Sequence, residues 1–339
     1  MACNREDLKE VAYSFVKEGE PYEQYIGNFL LDWIDEKDHI LERTSGSTGS
    51  PKVIKLMKRA MVRSAIATGD YFSLRPGDSA LHCIPANFIA GKMMLVRALI
   101  LGLRLDIVEP RSHPYIDIDT RYDFCAMVPM QVKNSMNELH QIQKLIIGGA
   151  PVSNYILNSL QDIETKAYAT YGMTETITHI AIKPLNHGSK NYFEVMPNIE
   201  LSGDERGCLV IEAPDLFEDT IVTNDIVRFE SETSFEFLGR YDNIINSGGI
   251  KLNPEQIEAK LSSSIKNRFF IASQDDDTLG EKVILIIEGD DTSLPKSAFE
   301  ALDTYEKPRS IRSIKRFLET SSGKVDRKET LKSINNGVA

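Results

Sequence analysis

The sequence has few cysteines and no long apolar run. Its four cysteines, Cys3, Cys83, Cys125 and Cys208, show no CxxC spacing. This argues against a zinc site or a disulfide framework and favours reduced, mostly buried thiols. The apolar stretches are far shorter than the ~20 residues needed to cross a bilayer, and the N-terminal MACNREDLKEVAYSFVKEGE has no apolar signal region. We therefore expect a cytoplasmic protein.

Positive charge is also scarce. The formal net charge is -11, which argues against nonspecific nucleic-acid binding, because such binding needs a basic surface. Anionic substrates would therefore depend on local basic residues. The six histidines show no metal-ligand spacing and none pairs with an obvious nucleophile, so they are interpreted as packing or surface residues. The sequence leaves open whether the chain forms a homodimer.

The length and patterning predict an α/β protein of about two domains. Four segments between residues 80 and 150 look like buried strands: SALHCIPA, LRLDIVEP, RYDFCAMVP and KLIIGGAP. Helical apolar spacing in GKMMLVRALILG and MQVKNSMNELHQI separates them, which favours a layered domain with parallel strands. Ligands gather at the carboxyl ends of such strands, where GGAP and YGMTET are expected.

The second half of the chain has a different pattern. Shorter β-like pieces after about residue 190 predict a β-rich subdomain. From about residue 243 we expect a helix (NPEQIEAKLSSSI), two strands (RFFIASQ and KVILIIEG), a second helix (PKSAFEALDTY) and a final strand (RSIKRFLE). These elements would form a compact α+β domain of about 95 residues. The predicted domains are residues 1–241 and 242–339.

A glycine- and hydroxyl-rich segment, RTSGSTGSPK, occupies residues 43–52. Its glycines expose backbone N–H groups, and its hydroxyls and terminal cation could contact phosphate oxygens. These residues are Thr44, Ser45, Gly46, Ser47, Thr48, Gly49 and Lys52. A solvated linker explains the segment equally well. It is not the phosphate loop GxxxxGK[ST], because Pro51 stands five positions after Gly46, which disfavours a kinase of that type.

A second segment, AYATYGMTET at residues 167–176, places Tyr171 beside Gly172. The aromatic ring could offer a face to a nucleobase, while Thr174 and Glu175 could reach phosphate and a metal ion. Taken alone, the segment is more simply a strand followed by a loop.

Two further segments lie in the second half. In GRYDNIINSGGIKLNPEQIE (residues 239–258), a glycine pair precedes Pro254, which is predicted to open a helix capped by Asn253. The glycine pair is typical of a turn or of a close backbone approach to a ligand. In SSGKVDRK (residues 321–328), Lys324 follows a glycine, and by itself this segment could be a basic tail.

The order of the motifs is more specific than any one of them. TSGSTGSPK, GGAP, YGMTET, TNDIVRF, GRYDNIINSGGIKLNPEQIE and SSGKVDRK resemble the successive core motifs of the ANL adenylate-forming superfamily, which includes acyl- and aryl-CoA synthetases. The resemblance runs over nearly the whole chain. It implies a large N-terminal domain, a small mobile C-terminal domain, and a ligase that uses ATP, Mg²⁺ and coenzyme A. A carboxylate would first displace pyrophosphate from ATP, and a thiol would then displace AMP.

The resemblance also assigns nucleotide contacts. It implies that residues 44–52 hold the β- and γ-phosphates, that Tyr171, beside Gly172, stacks on adenine, that Thr174 contacts phosphate, and that Glu175 helps to bind Mg²⁺. The residues beside the adenine would be Gly148, Gly149, Ala150 and Pro151.

The remaining implied roles concern the ribose and the chemistry. Asp225 would accept both ribose hydroxyls, a task that suits a carboxylate, with Arg240 nearby. Lys324 would bridge the acid and the α-phosphate and stabilise the charge that grows in the transition state.

The resemblance further implies a hinge at Asp242 that rotates the C-terminal domain between the two steps. The rotation would bring the SGGIK segment, with Gly248, Gly249 and Lys251, to the pantetheine arm of coenzyme A. Lys251 stands where many members of the superfamily have arginine.

The sequence departs from the common pattern in three ways. Val53 replaces the usual glycine, IPANFIAGK lacks a common histidine, and only 43 residues precede the phosphate segment. The shortness and the IPANFIAGKMMLVRAL segment resemble the compact o-succinylbenzoate–CoA ligases of menaquinone biosynthesis. Their substrate is a dicarboxylate whose second carboxylate needs a partner, and Lys92 is a candidate. The structural alternative for Lys92 is an exposed lysine at a helix start.

Other functions remain as alternatives. One is another small aryl- or short-chain acyl-CoA synthetase. A second is a non-catalytic nucleotide-binding module, which would have no need of Lys324 and Glu175. A third, a kinase, would release ADP rather than AMP and pyrophosphate.

Overall fold

A computed structural model describes residues 4–43, 52–290, 294–320 and 325–335. The chain divides into two compact units, the first made of Met1–Glu200 and Glu212–Ile221 and the second of Leu201–Ile211 and Val222–Ala339. The expected boundary between residues 241 and 242 concerns movement during catalysis, and it stays a prediction.

The first unit contains the predicted alternation of strands and helices. Its helices are α1 (Arg5–Glu18), α2 (Pro21–Ile34), α3 (Lys58–Phe72), α4 (Ile89–Leu101), α5 (Pro129–Asn134) and α6 (Asn154–Ser159). Its strands are β1 (His39–Arg43), β2 (Val53–Met57), β3 (Ser79–His82), β4 (Arg104–Ile107), β5 (Tyr122–Met127), β6 (Ile142–Ile147), β7 (Lys166–Gly172), β8 (His179–Pro184) and β9 (Phe193–Val195).

The main sheet of this unit runs in the order β9-β8-β7-β6-β5-β3-β4. Strands β4, β3, β5, β6 and β7 are parallel, and β8 and β9 continue the sheet antiparallel. Phe124 on β5 and Leu145 on β6 are fully buried, as expected for parallel strands covered on both faces. The α/β fold class predicted from the sequence is therefore confirmed.

Of the two helices predicted in this region, one forms as expected and the other is shorter than expected. Helix α4 forms over the predicted segment and is buried on most of its surface, because it is apolar on nearly every face. The predicted helix MQVKNSMNELHQI is too long, since α5 ends at Asn134 and only a short 3-10 helix follows at Leu139–Gln141. Serine and asparagine at Ser135 and Asn137 favour turns over helix interiors.

The remaining strands are β10 (Glu200–Gly203), β11 (Cys208–Glu212), β12 (Ile221–Ser231), β13 (Ser234–Arg240), β14 (Ile245–Ser247), β15 (Ile250–Leu252), β16 (Phe269–Asp276), β17 (Gly280–Glu288) and β18 (Ser310–Ile314). The remaining helices are α7 (Pro254–Leu261) and α8 (Arg327–Asn335). Strands β10 to β13 are neighbours in sequence order, which confirms the predicted β-rich stretch.

The C-terminal sheet runs β15-β14-β17-β16, with β18 parallel to β17. Alternate residues of its strands face opposite sides: Ile271 packs in a cluster with Ile257 and Leu261 of α7, whereas Phe270 packs in another with Leu331 of α8. Each helix therefore covers one face of the sheet, as an α+β domain requires.

Two expectations for the C-terminal region are wrong. PKSAFEALDTY forms only a 3-10 helix at Lys296–Phe299; the carboxylate of Glu306 accepts a bond from the Asp303 backbone N–H and holds the following residues in a turn. Helix α8 was not expected, because its polar sequence, RKETLKSIN, shows little apolar periodicity.

Within the described ranges, no helix combines the length and apolar character needed to span a membrane.

Candidate active site

The GGAP and YGMTET segments follow neighbouring parallel strands. Ile147, the last residue of β6, pairs in register with Ala169 of β7, so Gly148 comes beside Thr170. The Thr170 hydroxyl donates to the Ile147 carbonyl at 3.2 Å, and a Cβ on Gly148 would lie 2.6 Å from that hydroxyl oxygen. The predicted adenine-side segment thus meets the tyrosine strand at the carboxyl edge of the sheet, where ligands bind in this fold class.

The rest of GGAP is exposed after a buried strand. Gly149 has a φ of 84°, a backbone conformation that favours glycine. Ala150 and Pro151 are exposed at the start of the loop that leads to α6. These positions are compatible with the predicted adenine contacts.

Tyr171 is half-buried, with its ring centroid 5.9 Å from that of Phe193 and the two planes inclined by 57°. Its neighbour Gly172 has a structural reason to be glycine, because a Cβ there would lie 2.2 Å from the Thr178 carbonyl oxygen. The pairing of β7 with β8 shifts register between the two residues. The stacking of Tyr171 on adenine stays a prediction.

The turn after β7 directs a carboxylate outwards. The buried Thr176 hydroxyl accepts from the Met173 N–H at 2.9 Å and lies 2.7 Å from the Thr178 carbonyl, which fixes the loop. Thr174 is half-buried and Glu175 is exposed.

The predicted magnesium role of Glu175 stays a prediction. Among the described residues, no group of three or more potential metal ligands exists. Mg²⁺ at nucleotide sites is usually held by one or two carboxylates together with phosphates and water, so the role needs no larger group of protein ligands.

The glycine-rich segment Thr44–Pro51 lies outside the described residues, so its predicted phosphate contacts remain predictions. The strands that flank it pair with each other, with Arg43 of β1 opposite Val53 of β2. Lys52 is exposed just before β2.

Lys92 forms an ion pair with Glu42. Its Nζ contacts Glu42 Oε2, and the side chains of Lys92 and Glu42 are 15% and 4% exposed. The structural alternative of an exposed lysine is therefore wrong. The pair ties α4 to the strand that leads into residues 44–51, and a role for Lys92 towards a substrate carboxylate stays a prediction.

Arg97 is a functional candidate that the sequence reasoning missed. It lies on α4 and is 1% exposed. Its Nη2 donates to Thr178 Oγ1 at 3.1 Å and faces His179 Nδ1 at 3.4 Å. Among the described residues, no carboxylate forms an ion pair with it. A signal was present, because arginine within the apolar run GKMMLVRALILG is unusual.

The charge on Arg97 is unbalanced. Burial lowers its pKa to about 10, so the guanidinium is still protonated at neutral pH. A buried cation that contacts only neutral groups is costly. An anionic ligand that supplies the missing charge would remove that cost.

His179 cannot share this charge. Burial and the charge of Arg97 lower the pKa of His179 well below its usual value, so the ring is neutral. Its Nδ1 accepts from Arg97, which leaves Nε2–H to donate to Thr68 Oγ1 at 3.3 Å. The Thr68 hydroxyl donates to the Ser64 carbonyl at 2.9 Å. The network orients the guanidinium without neutralising it.

In the second unit, Arg240 joins two predicted site residues. Asp225 on β12 stands opposite Arg240 on β13, and Arg240 Nη1 donates to Asp225 Oδ1 at 3.1 Å. Arg240 Nη2 donates to Asp242 Oδ2, also at 3.1 Å. One guanidinium therefore links the predicted ribose ligand to the predicted hinge.

Asp242 also accepts hydrogen bonds from Asn224. Asn224 Nδ2 donates to both carboxylate oxygens, at 3.2 and 3.1 Å. Arg206 Nη1 donates to Asn224 Oδ1 at 2.8 Å, which fixes the amide orientation. The turn at Tyr241–Asn243 is thus held by side chains from β12 and from the loop before β11.

The SGGIK segment is a tight hairpin between β14 and β15, with Ser247 opposite Ile250. Gly248 and Gly249 have φ angles of 59° and 82°, as a two-residue hairpin turn with positive φ at both positions requires. A Cβ on Gly249 would meet no atom within 4 Å. The turn explains the glycine pair, and Gly249 also faces open space. Lys251 is exposed on β15.

Lys324 lies outside the described residues, but the residues on both sides are anchored. Glu319 and Val325 form an isolated antiparallel bridge. At the start of α8, Arg327 forms two hydrogen bonds of 2.8 Å with Glu258 of α7.

Comparison with known proteins identifies the family. Residues 40–201 match the family model described as AMP-binding enzyme. The chain is 29% identical over 331 residues to a probable 2-succinylbenzoate–CoA ligase from Mycobacterium tuberculosis, covering 87% of this chain and 84% of that protein.

Two solved structures share the fold. An acyl-CoA synthetase (AMP-forming)/AMP-acid ligase II-like protein from Dyadobacter fermentans is 34% identical, with a TM-score of 0.63 over 96% of this chain and 98% of that one. O-succinylbenzoate–CoA synthetase from Bacillus subtilis, in complex with ATP and magnesium, is 17% identical, with a TM-score of 0.74 over 86% of this chain and 69% of that one. The chain belongs to the AMP-binding, adenylate-forming enzymes of the ANL superfamily.

Proposed function

We propose that the protein is an AMP-forming acid–CoA ligase that converts 2-succinylbenzoate to its CoA thioester. In the first step, one carboxylate oxygen attacks the α-phosphorus of ATP, and pyrophosphate leaves. In the second step, the thiol of coenzyme A attacks the acyl carbon, loses its proton and displaces AMP. The similar M. tuberculosis protein named as such a ligase supports this choice.

The observation that carries the substrate assignment is the unbalanced charge of Arg97. 2-Succinylbenzoate has two carboxylates, and only one reacts. The second would bring a negative charge to a buried guanidinium that has no carboxylate partner among the described residues. Arginine suits this task because its planar donors match both oxygens of a carboxylate. Arg97 fits better than Lys92, whose charge Glu42 already balances.

The nucleotide contacts are part of the proposal. We assign the adenine to GGAP and Tyr171 at the ends of β6 and β7, and the ribose hydroxyls to the buried carboxylate of Asp225. Mg²⁺, bound by Glu175 and the phosphates, would neutralise charge on the leaving pyrophosphate. Lys324 would supply positive charge between the acid and the α-phosphate.

ATP and coenzyme A are available in the cytoplasm, and we propose that the enzyme acts there. The pathway would be menaquinone biosynthesis, in which this thioester is an intermediate.

A direct assay tests the proposal. The purified protein is incubated with ATP, Mg²⁺, coenzyme A and a panel of acids that includes 2-succinylbenzoate, benzoate, malonate and short fatty acids. We expect AMP, pyrophosphate and the thioester, with the highest kcat/KM for 2-succinylbenzoate. Higher kcat/KM for another acid would overturn the substrate assignment, and release of ADP would overturn the ligase assignment.

The role of Lys324 is tested by separating the two steps. Lys324→Ala should abolish pyrophosphate release from ATP, whereas thioester formation from presynthesised acyl-adenylate should survive. Equal loss in both steps would contradict the assigned role. Lys328→Ala, a nearby change in the same basic segment, is the matched control.

A further inference from the structure

The loop between β7 and β8 contains a strained turn at Ile177. The φ angle of Ile177 is 69°, a left-handed conformation that is an outlier for a β-branched residue. The Thr178 backbone N–H donates to the Thr176 carbonyl at 2.8 Å, so this hydrogen bond encloses Ile177 alone. A positive φ inside such a bond is typical of the γ-turn that is rare and strained.

The other non-glycine residues with positive φ differ from Ile177. Among the residues that the structure describes, they are Ser73, His187 and Asn198, and none of these is β-branched. Strain at a β-branched residue persists only where the surrounding structure holds it in place, and such strain is concentrated at functional sites.

Helix α4 holds the strained turn through two contacts. Ile177 is 1% exposed and belongs to a cluster of buried side chains that includes Met93 and Val96 of α4. The next residue, Thr178, accepts a hydrogen bond from Arg97 of the same helix at 3.1 Å. The end of the loop is therefore fixed to the helix that carries the proposed partner of the substrate carboxylate.

The first half of the loop carries the residues assigned to phosphate and magnesium. The Ile177 N–H donates to the Thr174 carbonyl at 3.0 Å, which closes a turn over these four residues. The Thr176 hydroxyl contacts the backbone on both sides of this turn, at Met173 and at Thr178. These bonds leave the loop little freedom, so a shift at Thr178 is transmitted to Thr174.

We propose that Ile177 is a positioning residue that couples binding of the acid to binding of Mg²⁺–ATP. A carboxylate that pairs with Arg97 fixes the guanidinium and, through it, Thr178. The turn at Ile177 then holds Thr174 and Glu175 in place for phosphate and Mg²⁺. The acid would thus raise the affinity for the nucleotide, and by reciprocity the nucleotide would raise the affinity for the acid. This inference rests on the proposed function.

Calorimetry tests the coupling. Binding of α,β-methylene-ATP, an analogue that the acid cannot cleave, is measured with Mg²⁺ in the absence and presence of saturating 2-succinylbenzoate. Benzoate, which lacks a second carboxylate, is the control acid. Ile177→Gly relaxes the turn and removes its apolar anchor, whereas Ile177→Val keeps a β-branched side chain. The matched control is Asn198→Gly, which relaxes a φ of 62° outside the loop.

For the wild type, we expect 2-succinylbenzoate to tighten binding of the analogue about fivefold or more, the lower end of ordinary coupling between two sites. Benzoate should have little effect. Ile177→Gly should reduce the coupling to about twofold or less, whereas Ile177→Val and Asn198→Gly should retain it. No coupling in the wild type, or full coupling in Ile177→Gly, would overturn the proposal.

A second variant needs no acid and leaves the apolar cluster intact. Thr178→Val keeps the shape of the side chain but removes the acceptor for Arg97, so the loop loses one anchor. Its affinity for the Mg²⁺–analogue complex should fall about fivefold, as loss of a hydrogen bond to a charged group predicts. In the Ile177→Gly background the same change should have little further effect, because the relaxed turn no longer transmits it.

An equal fall in both backgrounds would show that Thr178 acts independently of Ile177, and it would overturn the coupling. The proposed function fails separately, if the wild type binds the analogue but releases no pyrophosphate from ATP with any acid. The comparison of the two backgrounds still decides the role of Ile177 in that case, because it needs no acid.

Discussion

Arg327 and Glu258 are joined by two parallel hydrogen bonds, Nη1 to Oε1 and Nη2 to Oε2, each 2.8 Å long. Arg327 comes three residues after Lys324, so the bond fixes the chain close to the predicted adenylating lysine. Glu258 Oε1 also accepts from the Ile271 backbone at 2.8 Å. Helix α7, strand β16 and the start of α8 therefore meet at one carboxylate.

Glu258→Gln should slow acyl-adenylate formation. The amide keeps the shape but loses the ionic bond that positions Arg327, and charge-assisted bonds are worth about 1.5–3 kcal/mol. We expect kcat for pyrophosphate release to fall about tenfold, while thioester formation from presynthesised adenylate is retained. Glu329→Gln, an exposed residue that pairs with Lys332, is the control. Equal loss in both steps would show a merely structural role.

Gly148→Ala should impair nucleotide use, and Thr170→Ala should rescue it. The added Cβ would lie 2.6 Å from Thr170 Oγ1, so the end of β6 or the end of β7 must shift. Removal of the Thr170 hydroxyl relieves this contact. Overpacking of this kind costs about 1–3 kcal/mol. We expect the KM for ATP to rise about tenfold in the single variant and to return towards the wild-type value in the double variant. No rescue would contradict the inferred contact.

Arg97→Met should raise the KM for dicarboxylic acids but not for monocarboxylic acids. Loss of a charge that pairs with a substrate carboxylate costs about 2–5 kcal/mol, so the KM for 2-succinylbenzoate should rise about thirtyfold or more. A monocarboxylic aryl acid should show no such rise. Replacement of an unpaired buried charge by an apolar side chain of similar size is often neutral or stabilising, so the melting temperature should not fall. A fall in melting temperature with an unchanged KM would identify Arg97 as structural.

Stability should fall in mild acid because of His82. Burial lowers its native pKa from 6.5 to about 4, and Nδ1 finds no hydrogen-bond partner among the residues that the structure describes. Between these values the unfolded chain binds a proton that the native protein does not, so stability is present above pH 6.5 and is lost as the pH falls towards 4. From pH 7 to 5 the wild type should lose about 2 kcal/mol more unfolding free energy than His82→Leu. Urea unfolding at both pH values measures this, and identical losses would contradict the assigned pKa.

The parallel sheet was predictable because its strands are continuous apolar runs that end in turn residues. Phe124 and Leu145 lie in such runs and are fully buried. Asn253 was also predictable as a helix cap, since its side chain accepts from the Glu255 N–H and Pro254 follows it. In both cases the information is local.

The predictions that failed depended on contacts between residues that are far apart in the sequence. PKSAFEALDTY has helical apolar spacing, but Glu306 pairs with Lys260, which is 46 residues away, and accepts from Asp303, so a turn forms instead. Arg97 was missed because the sequence does not show which side chains surround it. Its hydrogen-bond partners, Thr178 and His179, are more than 80 residues away and carry no negative charge. Lys92 was interpreted without Glu42, which is 50 residues away in the chain.

Transfer of an oxygen atom from the acid to AMP is the decisive test of acyl-adenylate formation by this protein. The protein is incubated with ATP, Mg²⁺, coenzyme A and 2-succinylbenzoate labelled with oxygen-18 in both carboxylates, and the nucleotide product is analysed by mass spectrometry. Because a carboxylate oxygen attacks the α-phosphorus and stays there when the thiol displaces AMP, we expect AMP that carries a single oxygen-18 atom. Unlabelled AMP, or ADP as the product, would contradict it.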